Sequence, residues 1–499
     1  MWSKWVKCPT LLCGAASTRS LCTVTMGARE ASSSLYRRLS ALGSMADGTA
    51  AKRVLDEWVS EGKPVKFYNV KGYVRELRKF KNYNLALQLM EWLEAKGTDF
   101  SYSDHAICVD LLSKTKGTEA AERYFTSLPE PAKNQYTYGA LLCCYCQEKM
   151  HEKATTLFEK MRDLHFASST LTYNNVMSLY MKSGLPEKVP PMVEKMQETN
   201  ILPDRYTYAI LMNSYASLKD IKAVERVMKE AKIRCTACSD WPLYSNLAAI
   251  YITAGLYNKA KLVLKEAEKM IDLCDRDAFH FLISLYAGTS NLADVKRVWK
   301  SLKSAFPKAT NMSYLVMLQS LAKLDDMDGI KNCFKEWESG YSTYDIRLSN
   351  IVINAYLRRG MIKEAESLLE SIRKRGYEPN FWTMDIFVDF YMRNHRMGMA
   401  VKCMEAAVTK MTKNELQPCQ VRVRAFLKYF VEEKDVKHSE ELCKVLKRVC
   451  YPASELFNLL LHTYVAAGKI EPQMRQWIRE DNVQMTSEME KLLERVCPE

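Results

Sequence analysis

Several histidine, cysteine and glutamate residues have spacings that zinc-dependent hydrolysis could use. His438-Ser-Glu440 has the His-x-Glu spacing, in which the histidine binds zinc and the glutamate transfers protons. That chemistry also needs Pro-Cys-x-x-Cys, but Pro418-Cys419 lies upstream and lacks the second cysteine. Cys235-Thr-Ala-Cys238 has metal-ligand spacing, yet no second pair completes a zinc site. The chain is therefore predicted to have no metal, and His438 is interpreted as the polar start of a helix.

Other catalytic patterns are missing from the sequence. It contains no glycine loop that would hold a phosphate and no nucleophile elbow. No run of eighteen apolar residues suggests a membrane span. The chain is predicted to be a binding protein and not an enzyme, with no cofactor, no small-molecule substrate and no membrane partner.

Cationic side chains recur at one position of a repeating unit. A lane of such cations could follow a phosphate backbone. They would also stand at the ends of helices, where cations complement the helix dipole, and both explanations stay open. The predicted phosphate-contacting residues are Lys79, Lys114, Lys182, Lys323, Arg358 and Arg393.

The elements that would position these residues follow from a period of about 35 residues. Aromatic pairs seven residues apart mark it: Tyr138/Tyr145, Tyr173/Tyr180, Tyr208/Tyr215, Tyr244/Tyr251 and Phe279/Tyr286. We expect these rings to pack between helices, although exposed rings could also stack on bases. The predicted first-helix starts are Gln135, Thr170, Arg205, Trp241, Arg276, Asn311, Ile346 and Phe381.

Each unit has the pattern of two helices, and no stretch alternates as a strand would. Apolar residues recur at helical spacing, and a glycine ends the first helix at Gly184, Gly255, Gly360 and Gly468. A small residue in the second helix predicts close helix packing: Ala86, Ala121, Ala154, Ala260, Ala365 and Ala400. The sequence predicts an all-α solenoid of stacked helix-turn-helix repeats of about 35 residues. We predict a capping helix within residues 47–66, about 12 units over 67–489 and a C-terminal tail at 490–499.

The first 46 residues differ in composition from the rest. They contain six basic residues, eight serines and one acid, Glu30. This composition predicts a disordered, cleaved transit peptide, with a disordered basic tail as the alternative. Removing it would lower the formal net charge from +13 to +8, which is compatible with nucleic-acid binding. The sixteen cysteines, without a secretory signal, predict no disulfide framework.

Several of these motifs resemble the pentatricopeptide repeat. They are Thr172-Tyr-Asn174, the Lys-Ser-Gly turn at 182–184, a Glu-Lys-Met helix end and a closing Pro-Asp. The Trp…Leu-Gly…Tyr pattern of the tetratricopeptide repeat is missing. From about Lys52 onwards the chain is similar to the plain class of plant pentatricopeptide proteins. Trp58-Val-Ser-Glu-Gly-Lys and Ala86-Leu-Gln-Leu-Met-Glu-Trp92 resemble its short mitochondrial subgroup. The resemblance implies a right-handed superhelical solenoid.

The resemblance also implies how bases would be read. In this family the fifth residue of the first helix and the last residue of the unit together contact one base of single-stranded RNA. When this rule is carried over to the present sequence, Asn174 with Asp204 resembles a uridine-preferring pair. Asn350 with Asn380 resembles a pyrimidine-preferring pair, and Ser245 with Asp275 a guanine-preferring one. The alternative for each asparagine is an ordinary amide on a helix surface.

Most other units depart from this pattern. Leu315 and Ala209, for example, cannot hydrogen-bond a base through their side chains. The readable units are therefore too few to specify a long RNA site. The expected function is binding of single-stranded organellar RNA in a concave groove, acting in RNA stability, splicing or translation in the mitochondrial matrix. The alternative is a structural protein associated with the mitochondrial ribosome.

Overall fold

The computed structural model describes residues 35–42, 49–234, 241–271, 274–341, 343–409, 416–448 and 451–498. The chain divides into two compact units, residues 1–238 and 239–499. Over the described ranges the regular structure consists of α-helices and short 3₁₀ turns, without a strand. The prediction of an all-α fold is confirmed.

The helices are numbered here in chain order, starting after a short helical stretch at residues 35–41. Unit 1 contains α1 Ala50–Ser60, α2 Phe67–Lys79, α3 Tyr83–Ala95, α4 Tyr102–Lys116, α5 Thr118–Ser127, α6 Gln135–Gln147, α7 His151–Asp163, α8 Thr170–Lys182, α9 Val189–Glu198, α10 Arg205–Ser217 and α11 Ile221–Arg234. Unit 2 contains α12 Trp241–Thr253, α13 Tyr257–Lys269, α14 Arg276–Gly288, α15 Leu292–Ala305, α16 Asn311–Lys323, α17 Met327–Gly340, α18 Ile346–Arg358, α19 Ile362–Lys374, α20 Phe381–Arg393, α21 Met397–Val408, α22 Leu416–Glu433, α23 Val436–Lys447, α24 Ala453–Ala467, α25 Met474–Glu480 and α26 Ser487–Val496.

Even-numbered helices from α2 to α24 are the first helices of hairpins, and the following odd-numbered helix is the second. The first helices α6 to α20 begin at the residues predicted from the period. Their starts are well defined because the preceding residue accepts backbone N–H bonds through its side chain. The residues that cap α6, α8, α10, α14, α16, α18 and α20 are Asn134, Ser169, Asp204, Asp275, Thr310, Asp345 and Asn380. Ser101 caps α4 in the same way, and Asp240, which precedes α12, lies outside the described residues.

The hairpins stack through their first helices. In unit 1, α4 packs on α6, α6 on α8 and α8 on α10; in unit 2, α12 packs on α14, α14 on α16, and so on to α20. The second helices form the other layer and contact their own first helices. The six alanines predicted at close helix contacts are all 0% exposed. The stacked-repeat prediction is confirmed within each unit.

The turn after each first helix uses a left-handed residue. Gly184, Gly255 and Gly360 have φ values of +74°, +74° and +71°, as predicted for glycine at this position. Non-glycine residues occupy the same place in other repeats, among them Lys149 at +59° and Lys219 at +61°. A side chain in this conformation costs about 1–2 kcal/mol relative to the right-handed region. These repeats therefore carry removable strain.

Replacing Lys219 with glycine should stabilise unit 1. We expect the free energy of unfolding in urea to rise by about 1 kcal/mol, because glycine adopts positive φ without the Cβ penalty. The matched control is Lys229→Gly within α11, which should lower the same quantity by about 1 kcal/mol. Equal destabilisation by both changes would contradict the conformational explanation.

Residues 35–41 lie in the predicted transit peptide but pack against the first hairpins. Leu39 is fully buried in a cluster with Leu55 and Trp58. Arg38 donates to Glu61 at 2.8 Å. The predicted leader therefore includes a helical stretch that packs against the rest of unit 1. The rest of the predicted leader, residues 1–34 and 43–46, lies outside the described residues.

The C-terminal boundary also differs from the sequence-based expectation. Helix α26 extends through the predicted tail and buries Met489, Leu493 and Val496 against α24. The Glu471 N–H donates to the Val496 carbonyl at 2.9 Å. Amphipathic spacing in this segment makes it a final packing helix, covering the last hairpin.

In the part of the chain that the structure describes, no helix is both long and apolar enough to cross a bilayer.

Candidate nucleic-acid interface

The predicted base-reading pair of unit 1 is joined in the structure. The Asn174 Nδ2 donates to Asp204 Oδ1 at 3.1 Å, across the boundary between two hairpins. The Thr207 hydroxyl donates to Asn174 Oδ1 at 2.9 Å. Asn174 is 4% exposed, so its amide is held in one orientation. An amide nitrogen has two N–H groups, and the bond to Asp204 uses one of them.

Asp204 has a role that the base-reading prediction omitted. Its Oδ1 accepts from the Thr207 backbone N–H at 2.8 Å and caps α10, with the reciprocal bond to Thr207 Oγ1 completing a capping box. The last residue of a unit is thus the N-cap of the next first helix. The sequence signal was a polar residue three positions before a buried Thr or Ser, as at Thr207, Ser313 and Thr383.

The Asn350/Asn380 pair of unit 2 has a different arrangement. Asn380 Oδ1 accepts from the Thr383 backbone N–H and hydroxyl, both at 2.9 Å, and caps α20. Asn350 Oδ1 is buried and has no hydrogen-bond partner among the described residues. A buried acceptor without a partner costs about 1–3 kcal/mol. A ligand donor that reached Asn350 would recover that cost.

The Ser245/Asp275 pair behaves similarly. Asp275 Oδ1 accepts from the backbone N–H groups of Asp277 at 3.0 Å and Ala278 at 3.2 Å, which caps α14. The Ser245 hydroxyl is buried without a partner in the described structure. Ser245 and Asn350 are therefore fifth-position polar groups of unit 2 that no described residue satisfies.

Other fifth positions are occupied by contacts to the next repeat. Lys71 Nζ lies 2.6 Å from Asp104 Oδ2. His280 Nε2 lies 2.9 Å from the Ser313 hydroxyl, and Leu315 is 5% exposed. These side chains join consecutive hairpins, so the fifth position is structural in part of the solenoid.

Asp385 in α20 is held by Arg422 of α22. The guanidinium donates to Asp385 Oδ1 at 2.6 Å, to Asp385 Oδ2 at 2.9 Å and to Asp389 Oδ1 at 2.9 Å. Arg422 and Asp385 side chains are less than one-fifth exposed. Asp385 is the fifth residue of its first helix, the position that would contact a base. Because both of its carboxylate oxygens are bonded to Arg422, it is not available for that contact.

The predicted phosphate-contacting cations are exposed, but carboxylates pair with some of them. Lys79, Lys182 and Arg358 are exposed and make no ion pair with a described residue. Lys114 Nζ lies 2.6 Å from Asp110, and Arg393 Nε lies 2.9 Å from Asp389. The pKa of Lys323 is lowered by burial, which weakens its preference for the charged form.

The paired aromatic rings belong mainly to the core, as predicted. Tyr215 and Tyr244 are half-buried, and the other rings of the pairs are at most 8% exposed. The Tyr286 hydroxyl donates to Glu268 of a second helix at 2.9 Å. Tyr391 donates likewise to Glu366, and burial with this bond raises the pKa of Tyr391 to about 12. These tyrosines join the two layers and are not stacking platforms.

A different set of apolar side chains is exposed, and the sequence analysis missed it. It occupies the second position of first helices, two residues after the N-cap. Aromatic and aliphatic side chains there can stack on or contact bases. The sequence signal for this set was an apolar residue that falls outside the helical spacing of the buried residues. The exposed members are Tyr68, Tyr136, Leu171 and Tyr206 in unit 1, and Met312 and Trp382 in unit 2.

The zinc-like spacings have structural explanations where the structure describes them. His438 Nδ1 lies 2.7 Å from Asp435 Oδ2, and Asp435 caps α23. The interpretation of His438 as part of a helix start is confirmed. Cys235 and Cys238 lie outside the described residues. Within the described ranges, no cluster of three or more His, Cys, Asp or Glu could hold a metal ion.

Comparison with known proteins identifies the repeat. A model of the PPR repeat family matches residues 168–217 and 345–393, and a PPR repeat model matches 136–166. A mitochondrial pentatricopeptide repeat-containing protein of Arabidopsis thaliana is 41% identical over 465 residues, covering 93% of this chain and 92% of the relative. The large ribosomal subunit protein mL101 (rPPR4) of Arabidopsis thaliana is 43% identical over 467 residues, covering 93% and 94%.

A solved structure gives the same fold. The crystal structure of the pentatricopeptide repeat protein PPR10 from maize aligns with a TM-score of 0.54 and 16% sequence identity. The alignment covers 92% of this chain and 65% of the maize chain. Together with the full-length relatives, the capped hairpins and the repeat motifs, this likeness leads to one conclusion. The chain belongs to the pentatricopeptide repeat family of plant proteins.

Proposed function

We propose that this protein binds single-stranded RNA along its first helices and acts in mitochondrial RNA metabolism. The observation that carries the proposal is the direct Asn174–Asp204 bond at 3.1 Å. It joins the fifth residue of one unit to the last residue of that unit, at the start of the next helix. Two polar groups held together in this way can present a fixed pattern of donors and acceptors to one base.

Each part of the surface has a separate task in this mechanism. The fixed pairs select bases, and exposed second-position side chains such as Tyr206 and Trp382 contact their faces. Exposed cations such as Lys182 and Arg358 contact phosphates. Bound RNA would be protected from nucleases and from competing structures, which affects its stability, splicing or translation. No bond is made or broken, so the protein acts without catalysis.

The proposed location is the mitochondrial matrix, where organellar transcripts are processed. Two features support it: the composition of the first 46 residues and a relative at 41% identity that is named as mitochondrial. The partners would be organellar RNA and the proteins that process it.

A second candidate function is a structural role on the mitochondrial ribosome. The relative at 43% identity is named as a large ribosomal subunit protein. In addition, fifth positions such as Lys71, His280 and Asp385 make contacts between repeats. A protein held on folded RNA would need fewer base-reading positions than one that finds a free transcript.

The two functions can be separated by purifying the protein from mitochondria at low and high salt and sequencing the bound RNA. The first function predicts a few discrete footprints that survive high salt. The ribosomal role predicts co-purification of the whole large subunit without a discrete footprint. Recovery of no RNA under either condition would reject both.

A further inference from the structure

Six lysines on the second helices of unit 2 repeat with a strict period. Four residues separate the two lysines on each of α13, α15 and α17, and 35 residues separate equivalent lysines on consecutive helices. The equivalent positions on α19 are Glu366 and Glu370, where the pattern ends. We call this set the lysine ladder: Lys261, Lys265, Lys296, Lys300, Lys331 and Lys335.

The ladder lies on one flank of the second helices, beside the stripe of residues that faces the core. On α13 the buried residues are Ala260, Leu264 and Ala267, whereas Lys265 is exposed; Lys300 is exposed on α15 in the same way. This surface is distinct from the first-helix side chains described above. It is therefore a second charged surface of the same unit.

Most of the ladder is not neutralised. Lys296 pairs with Asp326 at 2.7 Å, but Lys265, Lys300 and Lys335 make no ion pair with a described carboxylate. Nearby carboxylates are bound by other cations. Glu336 is held by Lys303, and Glu338 of the same helix is held by Arg375 at 2.6 Å. Lys265, Lys300 and Lys335 therefore keep a positive charge that no described carboxylate pairs with.

The spacing gives the ladder the shape of a small flat grid. Lysines four residues apart on one helix are separated by about 6 Å along its axis. The three helices are neighbours, because Arg297 of α15 bonds Glu268 of α13 at 2.9 Å and Lys303 of α15 bonds Glu336 of α17 at 3.1 Å. At about 8–10 Å between packed helices, the grid extends roughly 20 Å across the unit.

The ladder presents exposed lysines with few exposed apolar or aromatic side chains beside them, which indicates the kind of partner it binds. Binding of single strands uses exposed aromatic rings as well as cations, but Trp299, Phe334 and Trp337 of these helices are buried. Protein interfaces are enriched in apolar and aromatic side chains. Over the described parts of α13, α15 and α17, the exposed large apolar side chains are Tyr257 and Leu262. Lysines bind phosphates as point charges without reading sequence.

We propose that the lysine ladder binds the phosphate backbone of double-stranded RNA. A-form duplexes display their phosphates outward and are recognised mainly by shape and backbone contacts. One protein could then hold a duplex on its second helices while its first helices engage a single strand. The ladder's binding does not depend on base reading, so it can be tested separately from the proposed function.

The test measures binding of the full chain to a blunt RNA duplex of about 20 base pairs over a series of salt concentrations. The test variant is Lys265→Gln/Lys300→Gln/Lys335→Gln, whose positions are exposed. Each lost phosphate contact should reduce the slope of log K against log salt by about 0.7–0.9. For three contacts, affinity at about 0.1 M salt should fall roughly a hundredfold.

A matched control removes the same charge elsewhere in unit 2. Lys363→Gln/Lys402→Gln/Lys437→Gln changes three exposed lysines outside the ladder, none of which pairs with a described carboxylate, and should leave the slope unchanged. Glu370→Lys should extend the ladder by one helix and steepen the slope, because Glu370 occupies the equivalent position on α19. Single-stranded RNA bound by the wild type should bind the ladder variant with affinity unchanged.

Three results would overturn the assignment. The first is equal loss of duplex affinity in the ladder and control variants, which would indicate only net charge. The second is an unchanged slope in the ladder variant. The third is ladder-dependent binding of polyglutamate without ladder-dependent binding of the duplex, which would assign the surface to an acidic protein.

Discussion

Under the proposed function, Asn380→Asp should narrow the base preference of its repeat from either pyrimidine to uridine, without unfolding the protein. The cap holds Asn380 Oδ1, so the amide presents its Nδ2 N–H groups, which can donate to cytidine N3 or to a uridine carbonyl, whereas a carboxylate only accepts and suits uridine N3–H. Aspartate and asparagine are equivalent N-caps, so the bonds from Thr383 to this side chain are retained. We expect discrimination of about 1–3 kcal/mol, or roughly 5- to 150-fold, against cytidine.

The measurement is selection of bound sequences from a random single-stranded RNA pool by wild type and variant. One base position should lose cytidine in the variant pool, and the other positions should be unchanged. Asn380→Ala is the control that removes the cap and should lower the free energy of unfolding by about 1 kcal/mol, in contrast to Asn380→Asp. If both pools show the same base frequencies at every position, Asn380 caps its helix and reads no base.

Arg422→Met should destabilise unit 2 by about 2–3 kcal/mol. The change leaves Asp385 and Asp389 close together without the guanidinium that bonds to both carboxylates. Removing one partner of a fully buried ion pair costs about 3–5 kcal/mol, and the partial exposure of these side chains reduces the cost. The free energy of unfolding in urea at neutral pH measures the effect.

Two further variants isolate the reason for this loss. Adding Asp385→Asn and Asp389→Asn to Arg422→Met should recover most of the stability, since no unpaired carboxylate is then left. Arg393→Met removes an arginine whose side chain is 77% exposed, although it also contacts Asp389, and should change stability by less than about 0.5 kcal/mol. Destabilisation of the same size in the triple variant would mean that Arg422 acts through packing.

The repeat architecture could be predicted because its determinants are local. From α4 to α20, wherever the structure describes both ends, a polar N-cap and a residue with positive φ define the ends of the first helix, and both lie within a few residues of the structure they determine. That is why the predicted starts at Gln135 and Phe381 match the observed ones. Buried alanines such as Ala154 and Ala260 were also predictable, since alanine occupies the same position of the second helix in six repeats.

The availability of each candidate site residue could not be predicted in the same way. Asp385 and Asn174 occupy equivalent positions, but Asp385 is paired with Arg422, which lies 37 residues later and beyond the regular period. Ser245 and Asn350 have buried polar atoms that nothing in the described structure satisfies. These differences depend on which side chain of the next repeat reaches the fifth position, and periodicity contains no such information.

The sequence alone determined the helical hairpin, its period and the residues that recur in it, because capping, turn conformation and amphipathic spacing act over a few residues. Only the tertiary structure decided which recurring polar groups are free for a ligand. Stacking brings side chains about 35 residues apart into contact. Hydrogen bonds and ion pairs across that contact satisfy some of these groups and leave others available.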